Sequence, residues 1–179
     1  MEKNALLSST LDELRSLYDA LDRDLVEARN FQEALVPDRF HRLKGADISF
    51  LFRPSGHVGG DLVGLFRVSD HRYGVYAVDV SGHGVASALM TARVAGYLNP
   101  LSPSQNIALR TGDHGEAVML PPDEVCRHLN EILLTEMETD TYLTMALADV
   151  DLASGKTVIS HAGHTSPAIQ RADGSVQFE

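Results

Sequence analysis

The chain has 179 residues, 44% of them hydrophobic, enough for one sizeable buried core. Its net charge of −10, from 25 acidic and 15 basic residues, argues against a nucleic-acid surface, which needs a basic face. Cys126 is the only cysteine, which excludes an internal disulfide. No apolar run reaches membrane-spanning length and no signal-peptide core stands at the start, so a cytoplasmic protein is expected.

The first element is a helix. Leu7, Leu11, Leu14, Tyr18, Leu21, Leu25, Ala28, Gln32 and Leu35 recur in alternating steps of four and three, the a/d seam of a heptad repeat. Thr10 with Glu13 has the spacing of a capping box, which places the helix start at Thr10 rather than Leu7. Pro37 ends the helix, because it pushes Val36 out of the helical region. The narrow, persistent seam predicts a homodimeric coiled coil; the alternative is one amphipathic helix packed on its own domain. Gln32 in the seam either fixes register or marks where the helix docks. The expected division is a linker helix over 1–36 and a globular domain over 37–179.

A strand is expected from Asp47 to Pro54. Next comes Val58-Gly59-Gly60-Asp61, then a hairpin pattern. Leu62, Gly64, Phe66 and Val68 alternate with Val63, Leu65 and Arg67; Ser69 to Arg72 is turn-like; Tyr73 to Val78 runs back. This run ends in Asp79-Val80-Ser81-Gly82-His83-Gly84. The hairpin brings Asp61 and Asp79 to one end of one sheet. Two carboxylates with bare glycine backbone beside them suit a hard divalent cation, which activates water for hydrolysis. The helix that follows offers N-terminal amides to an anion such as phosphate.

That helix is predicted over Gly84 to Leu98, with Val85, Leu89, Ala92 and Gly96 on one face toward a sheet. Asn99 to Pro122 is rich in Pro, Ser and Gly and reads as a mobile connection near the substrate surface. A second helix follows from Asp123 to Met137, with Val125, Leu129, Ile132 and Leu133 inward. Thr141 to Leu152 and Lys156 to His161 are paired strands around a turn at Asp151 to Gly155. Ala162-Gly163-His164 follows, then one more strand over Thr165 to Ile169.

The ordered set Val58-Gly59-Gly60-Asp61, Asp79-Val80-Ser81-Gly82-His83-Gly84 and Ala162-Gly163-His164 resembles the PPM (PP2C-type) serine/threonine phosphatases. The likeness is to their SpoIIE/RsbU-like bacterial regulatory branch, from about Phe31 onward. The resemblance implies an α+β fold, a PP2C-like sandwich of antiparallel β-sheets flanked by helices, preceded here by the N-terminal linker helix. It implies two or more Mn²⁺ or Mg²⁺ ions and hydrolysis of phosphoserine by activated water without a covalent enzyme intermediate. Carried over, Asp79 bridges two cations, the Val80 carbonyl ligates one, and Asp61 is a further acidic ligand, direct or through water. Gly60, Ser81, Gly82, His83, Gly84 and His164 support the loops or the phosphate. The family's further aspartates fall after Glu179, so the chain is expected to hold about two-thirds of the family domain and to be weakly active. The arginine that binds phosphate in the family's eukaryotic relatives has no match; Arg53 reads as a solvated strand residue.

A zinc site from His57, His83, His161 and His164 is disfavoured: no cysteine joins them and the carboxylates favour a harder cation. His83 is left between a general acid or phosphate contact and a loop support; His161 and His164 read as loop supports. Ser81 lacks the flanking glycines of a nucleophile elbow and reads as a helix cap. The resulting expectation is a metal-dependent protein phosphatase acting on a phosphorylated regulatory protein such as a STAS-domain anti-sigma-factor antagonist. The alternative is a non-catalytic dimeric module on the same fold.

Overall fold

The computed structural model describes residues 2–54, 56–136 and 141–178. Helix α1 runs over Glu2–Glu33, followed by strands β1 (Phe40–Leu43), β2 (Ala46–Ser49), β3 (Asp61–Arg67) and β4 (Arg72–Val80). Helix α2 spans Val85–Tyr97; after a single 3-10 turn at Pro103–Gln105 come β5 (Leu109–Thr111) and β6 (Ala117–Met119). Helix α3 (Pro122–Glu136), β7 (Leu143–Asp151), β8 (Lys156–Ala162), β9 (Ala168–Gln170) and β10 (Val176–Phe178) complete the chain.

The centre is an antiparallel four-stranded sheet in the order β3-β4-β7-β8. Period-two alternation gives it two different faces. Leu62, Phe66, Val78, Val80, Met145 and Leu147 are buried on one face, against Met90 and Val94 of α2 and Val125 and Leu129 of α3. Each such side chain contributes about 1.5–3 kcal/mol. The other face carries Val63, Val75, Ala77, Ala146 and Ala148, bordered by Phe50, Leu51 and Pro167. Three two-stranded hairpins, β1–β2, β5–β6 and β9–β10, surround this unit. The antiparallel sheets and flanking helices are those of the expected α+β class. Among the described residues, no helix is long and apolar enough to cross a membrane.

Several expectations are corrected. The helix does not start at Thr10: Thr10 Oγ1 donates to the Leu6 carbonyl at 3.0 Å, so its hydroxyl is satisfied inside a helix already running. The strand expected from Asp47 to Pro54 is the shorter β2, which pairs with the unforeseen β1 across the Lys44-Gly45 turn.

In α2 the inward residues are Ser87, Met90, Thr91 and Val94, whereas Val85 and Leu89 are exposed. Small residues surround this helix, so its period alone does not select a face. The two hydroxyls enter the core because each is satisfied locally, Ser87 Oγ donating to the Gly84 carbonyl and Thr91 Oγ1 to the Ala88 carbonyl.

The 99–122 connection is an anchored hairpin, with Asn106, Ala108 and Met119 buried. Asn106 Oδ1 accepts from the Ala108 amide at 2.9 Å, and the Leu120 amide donates to the Ala108 carbonyl at 2.9 Å. It sits at the C-terminal end of α2, about 20 Å along that helix from Gly84. In α3, Val125 and Leu129 point inward as expected; Met137, its expected end, lies outside the described residues. The strand expected over Thr165 to Ile169 begins only at Ala168 and pairs with β10.

The lower part of α1 meets the domain. Gln32 is 4% exposed, and Leu35 packs against the core. The seam above is open: Leu7 is 59% exposed and Leu21 54%. Gln32 therefore marks a docking point.

Candidate active site

Strand pairing builds the site. The β3–β4 register sets Asp61 directly opposite Asp79. Their neighbours Leu62, Val78 and Val80 enter the core, so both carboxylates emerge on the face away from α2 and α3. Side chains directly opposite in an antiparallel pair start about 4.5–5.5 Å apart at Cβ, and like charges there repel. The Asp61 carboxyl is accordingly held above its ordinary value of 3.8, first by burial and then by Asp79; His164 acts in the opposite direction.

The two motifs are locked together beside this pair. The Val80 amide donates to the Gly60 carbonyl at 3.0 Å. A Cβ on Gly60 would lie 2.1 Å from the Val80 carbonyl oxygen, so only glycine allows the approach. Gly82, His83 and Gly84 then lead into α2. Ser81 is not the helix cap: Gly84 holds the N-cap position. The Ser81 amide instead donates to the Tyr142 carbonyl at 2.8 Å, and its Oγ accepts from the Tyr142 amide at 3.1 Å. The hydroxyl is used to join the loop to the start of β7.

The row of polar side chains continues across the sheet. Thr144 of β7 lies opposite Asp79. The Ala162-Gly163-His164 segment bends there: Gly163 bridges Met145 and has φ +67°, a left-handed conformation that favours glycine. His164 returns over the sheet with Nδ1 2.9 Å from Thr144 Oγ1.

Sequence reasoning missed Thr144, because the β4–β7 register depends on a pairing across a long excursion. It also missed the full role of Gln32. Its Nε2 donates to the Gly59 carbonyl at 2.7 Å and to Thr91 Oγ1 at 3.1 Å, while its Oε1 accepts from the Gly59 amide at 3.0 Å. The one polar residue in an apolar seam was the available signal.

The structure thus brings together Gly60, Asp61, Asp79, Val80, Ser81 and His164. His83 is exposed and lines a cleft with Leu25, His57 and Val58 on the α1 side. His57 Nε2 is 3.2 Å from Asp22 Oδ1 of α1. His161 is exposed on β8, and Arg53 is exposed as expected. Among the described residues, no three His, Cys, Asp or Glu side chains converge into a metal cage. Two carboxylates and a carbonyl match an open oxygen-donor site of the kind in which a hard cation keeps several waters.

The sequence matches the family described as Stage II sporulation protein E (SpoIIE) over residues 69–179. It is 31% identical over 160 residues to phosphoserine phosphatase RsbP of Bacillus subtilis, covering 87% of this chain and 36% of that protein. It is 20% identical over 151 residues to phosphoserine phosphatase RsbU of the same organism, covering 84% and 41%. The chain thus spans well under half the length of these curated relatives. The fold is similar to that of the SiaA-PP2C domain of Pseudomonas aeruginosa, with a TM-score of 0.68 at 20% identity, over 90% of this chain and 61% of that one. It is also similar to the RsbU and RsbW domains of Rv1364c from Mycobacterium tuberculosis, with a TM-score of 0.53 at 20% identity, over 70% and 31%.

Proposed function

The chain belongs to the SpoIIE family, and we propose that it is a PP2C-type protein serine/threonine phosphatase domain of bacterial signalling, hydrolysing phosphoserine on a regulatory protein. Its relatives RsbP and RsbU are phosphoserine phosphatases by name. A STAS-domain anti-sigma-factor antagonist is the proposed substrate, and the cytoplasm the proposed compartment. The proposed organisation is a linker helix over 1–36 and a phosphatase domain over 37–179. The observation that carries the reading is the placement of Asp61 directly opposite Asp79, on a solvent-facing sheet end beside the Val80 carbonyl.

Asp61, Asp79 and the Val80 carbonyl would hold Mn²⁺ or Mg²⁺, two or more ions in the complete domain. The donor set fits: two carboxylates directly opposite each other and a backbone carbonyl are hard oxygen donors, and the negative charge they hold close together is what a cation relieves. When bound, such ions polarise phosphoryl oxygens and lower the pKa of water for in-line attack. This chain's own residues do the rest. Gly60 lets the backbone approach Val80, and Ser81 ties the loop to β7. Gly82, His83 and Gly84 bring the turn to the N-terminus of α2, whose amides favour the phosphate.

A phosphoserine-peptide assay with Mn²⁺ on the complete protein tests the reading. Asp79→Asn should abolish turnover with the fold intact, because a neutral amide does not replace a bridging carboxylate. Near-normal turnover by that variant would overturn the assignment. A second reading, a non-catalytic dimeric module, is favoured by the open apolar seam of α1 from Leu7 to Leu21. It expects a dimer by sedimentation and no turnover even by the complete protein.

A further inference from the structure

Three strands deliver Asp61, Asp79 and Thr144 to one face in register, and His164 is bonded to the last of them. This geometry leaves the His164 ring one other polar atom, Nε2. If the Thr144 hydroxyl donates to Nδ1, then Nδ1 is the acceptor and Nε2 carries the proton. An N–H is the appropriate group to turn toward a face that already carries two carboxylates. His164 Nδ1 lies 2.9 Å from Thr144 Oγ1, and Thr144 sits opposite Asp79 across the β4–β7 ladder, which brings the ring to this end of the sheet.

A phosphoryl group arriving there brings several anionic oxygens, each requiring a donor. Gln32 is already bonded to Gly59 and Thr91, whereas Ser81 Oγ accepts from the Tyr142 amide and keeps its own O–H as a second donor beside the site. Arg53 is exposed to solvent. We propose that Thr144 fixes His164 as the Nε2–H tautomer, and that this N–H donates to a non-bridging oxygen of the phosphate at the Asp61–Asp79 face. His164 is then a phosphate-binding residue and Thr144 its positioning residue. The proposal rests on the phosphatase reading of the same site.

Two measurements on the full chain test it. The first uses ¹⁵N-labelled histidine without paramagnetic metal, at a pH well above the ordinary histidine value of about 6.5. The two-bond ¹H–¹⁵N spectrum should show a bare Nδ1 and a protonated Nε2 for His164, the signal assigned by its loss in His164→Gln. Thr144→Val should abolish that preference. The second titrates inorganic phosphate in the presence of Mg²⁺. His164→Ala should weaken binding about tenfold or more, as for a lost hydrogen bond to a charged group. His164→Gln, whose amide N–H reaches a similar position, should keep most of the affinity, and Thr144→Val should weaken it several-fold. If the alanine variant fails to fold, the glutamine and valine variants still decide the matter.

A protonated Nδ1 on His164 would overturn the inference and leave the phosphatase reading standing. So would unchanged phosphate affinity in folded His164→Ala. A wild type that binds neither Mg²⁺ nor phosphate would overturn both.

Discussion

The two ends of the central sheet treat acidic side chains in opposite ways. At the end remote from the site, Asp149 is only 6% exposed and is neutralised: Arg72 Nε donates to its Oδ1 at 2.8 Å and Nη2 to its Oδ2. The guanidinium is held above its ordinary value by that hydrogen bonding. At the other end, Asp61 meets Asp79 across the strands, with no arginine or lysine among the described residues acting on its carboxyl. A bidentate arginine makes the first carboxylate a structural element. The second arrangement is one that folding alone disfavours, so its explanation lies in what the face binds.

The largest effect should come from breaking the neutralised end. Arg72→Met leaves a buried, unpaired Asp149 and should destabilise the protein by about 2–4 kcal/mol in urea melts. The lower part of that range is favoured because the Arg72 side chain is 41% exposed. Replacing both residues, with Asp149→Leu added, should restore most of the loss, and neither change should alter cation binding at the far end.

The site end is fastened by amide hydrogen bonds in place of an ion pair. Gln32→Ala should cost about 1–3 kcal/mol, because it strands the buried Gly59 amide and carbonyl. Faster hydrogen exchange at Gly59 and earlier proteolysis of α1 would report the loss. Unchanged protection at Gly59 would mean that Gln32 does not hold the loop.

A smaller effect of opposite sign is expected at the carboxylate pair. The folded-state pKa of Asp61 is raised, so ionising this group disfavours the folded state. That penalty is absent below the ordinary value of 3.8 and fully present once the pH exceeds the raised value. Asp61→Asn removes it. The metal-free variant should melt slightly above wild type at neutral pH, the effect being reduced by solvent screening at this exposed group, and the gap should close as the pH falls toward 3.8. A variant less stable than wild type at neutral pH would show that ionising Asp61 carries no penalty in the folded protein.

Much of this contrast was legible in the sequence. Local alternation on both sides of a turn fixed the β3–β4 hairpin, and with it the meeting of Asp61 and Asp79. The neutralised end was not legible. Arg72 and Asp149 are 77 positions apart, and their contact depends on how β7 aligns with β4. Thr144 was hidden for the same reason. Ser81 was misread because its partner, Tyr142, arrives 61 residues later. The inward face of α2 was misread because hydroxyls that bond within their own helix bury as readily as methyl groups. The 99–122 segment looked mobile because its composition is loop-like, while a few buried positions anchor it.

Mn²⁺ titration of the wild type and Asp79→Asn, followed by electron paramagnetic resonance, tests most directly whether the Asp61–Asp79 face is a cation site. Expected is measurable binding by the wild type, modest in affinity because the donor set is open, and a loss of at least about tenfold in Asp79→Asn with an unchanged circular dichroism spectrum. Equal Mn²⁺ binding by the two proteins would contradict the assignment of this face.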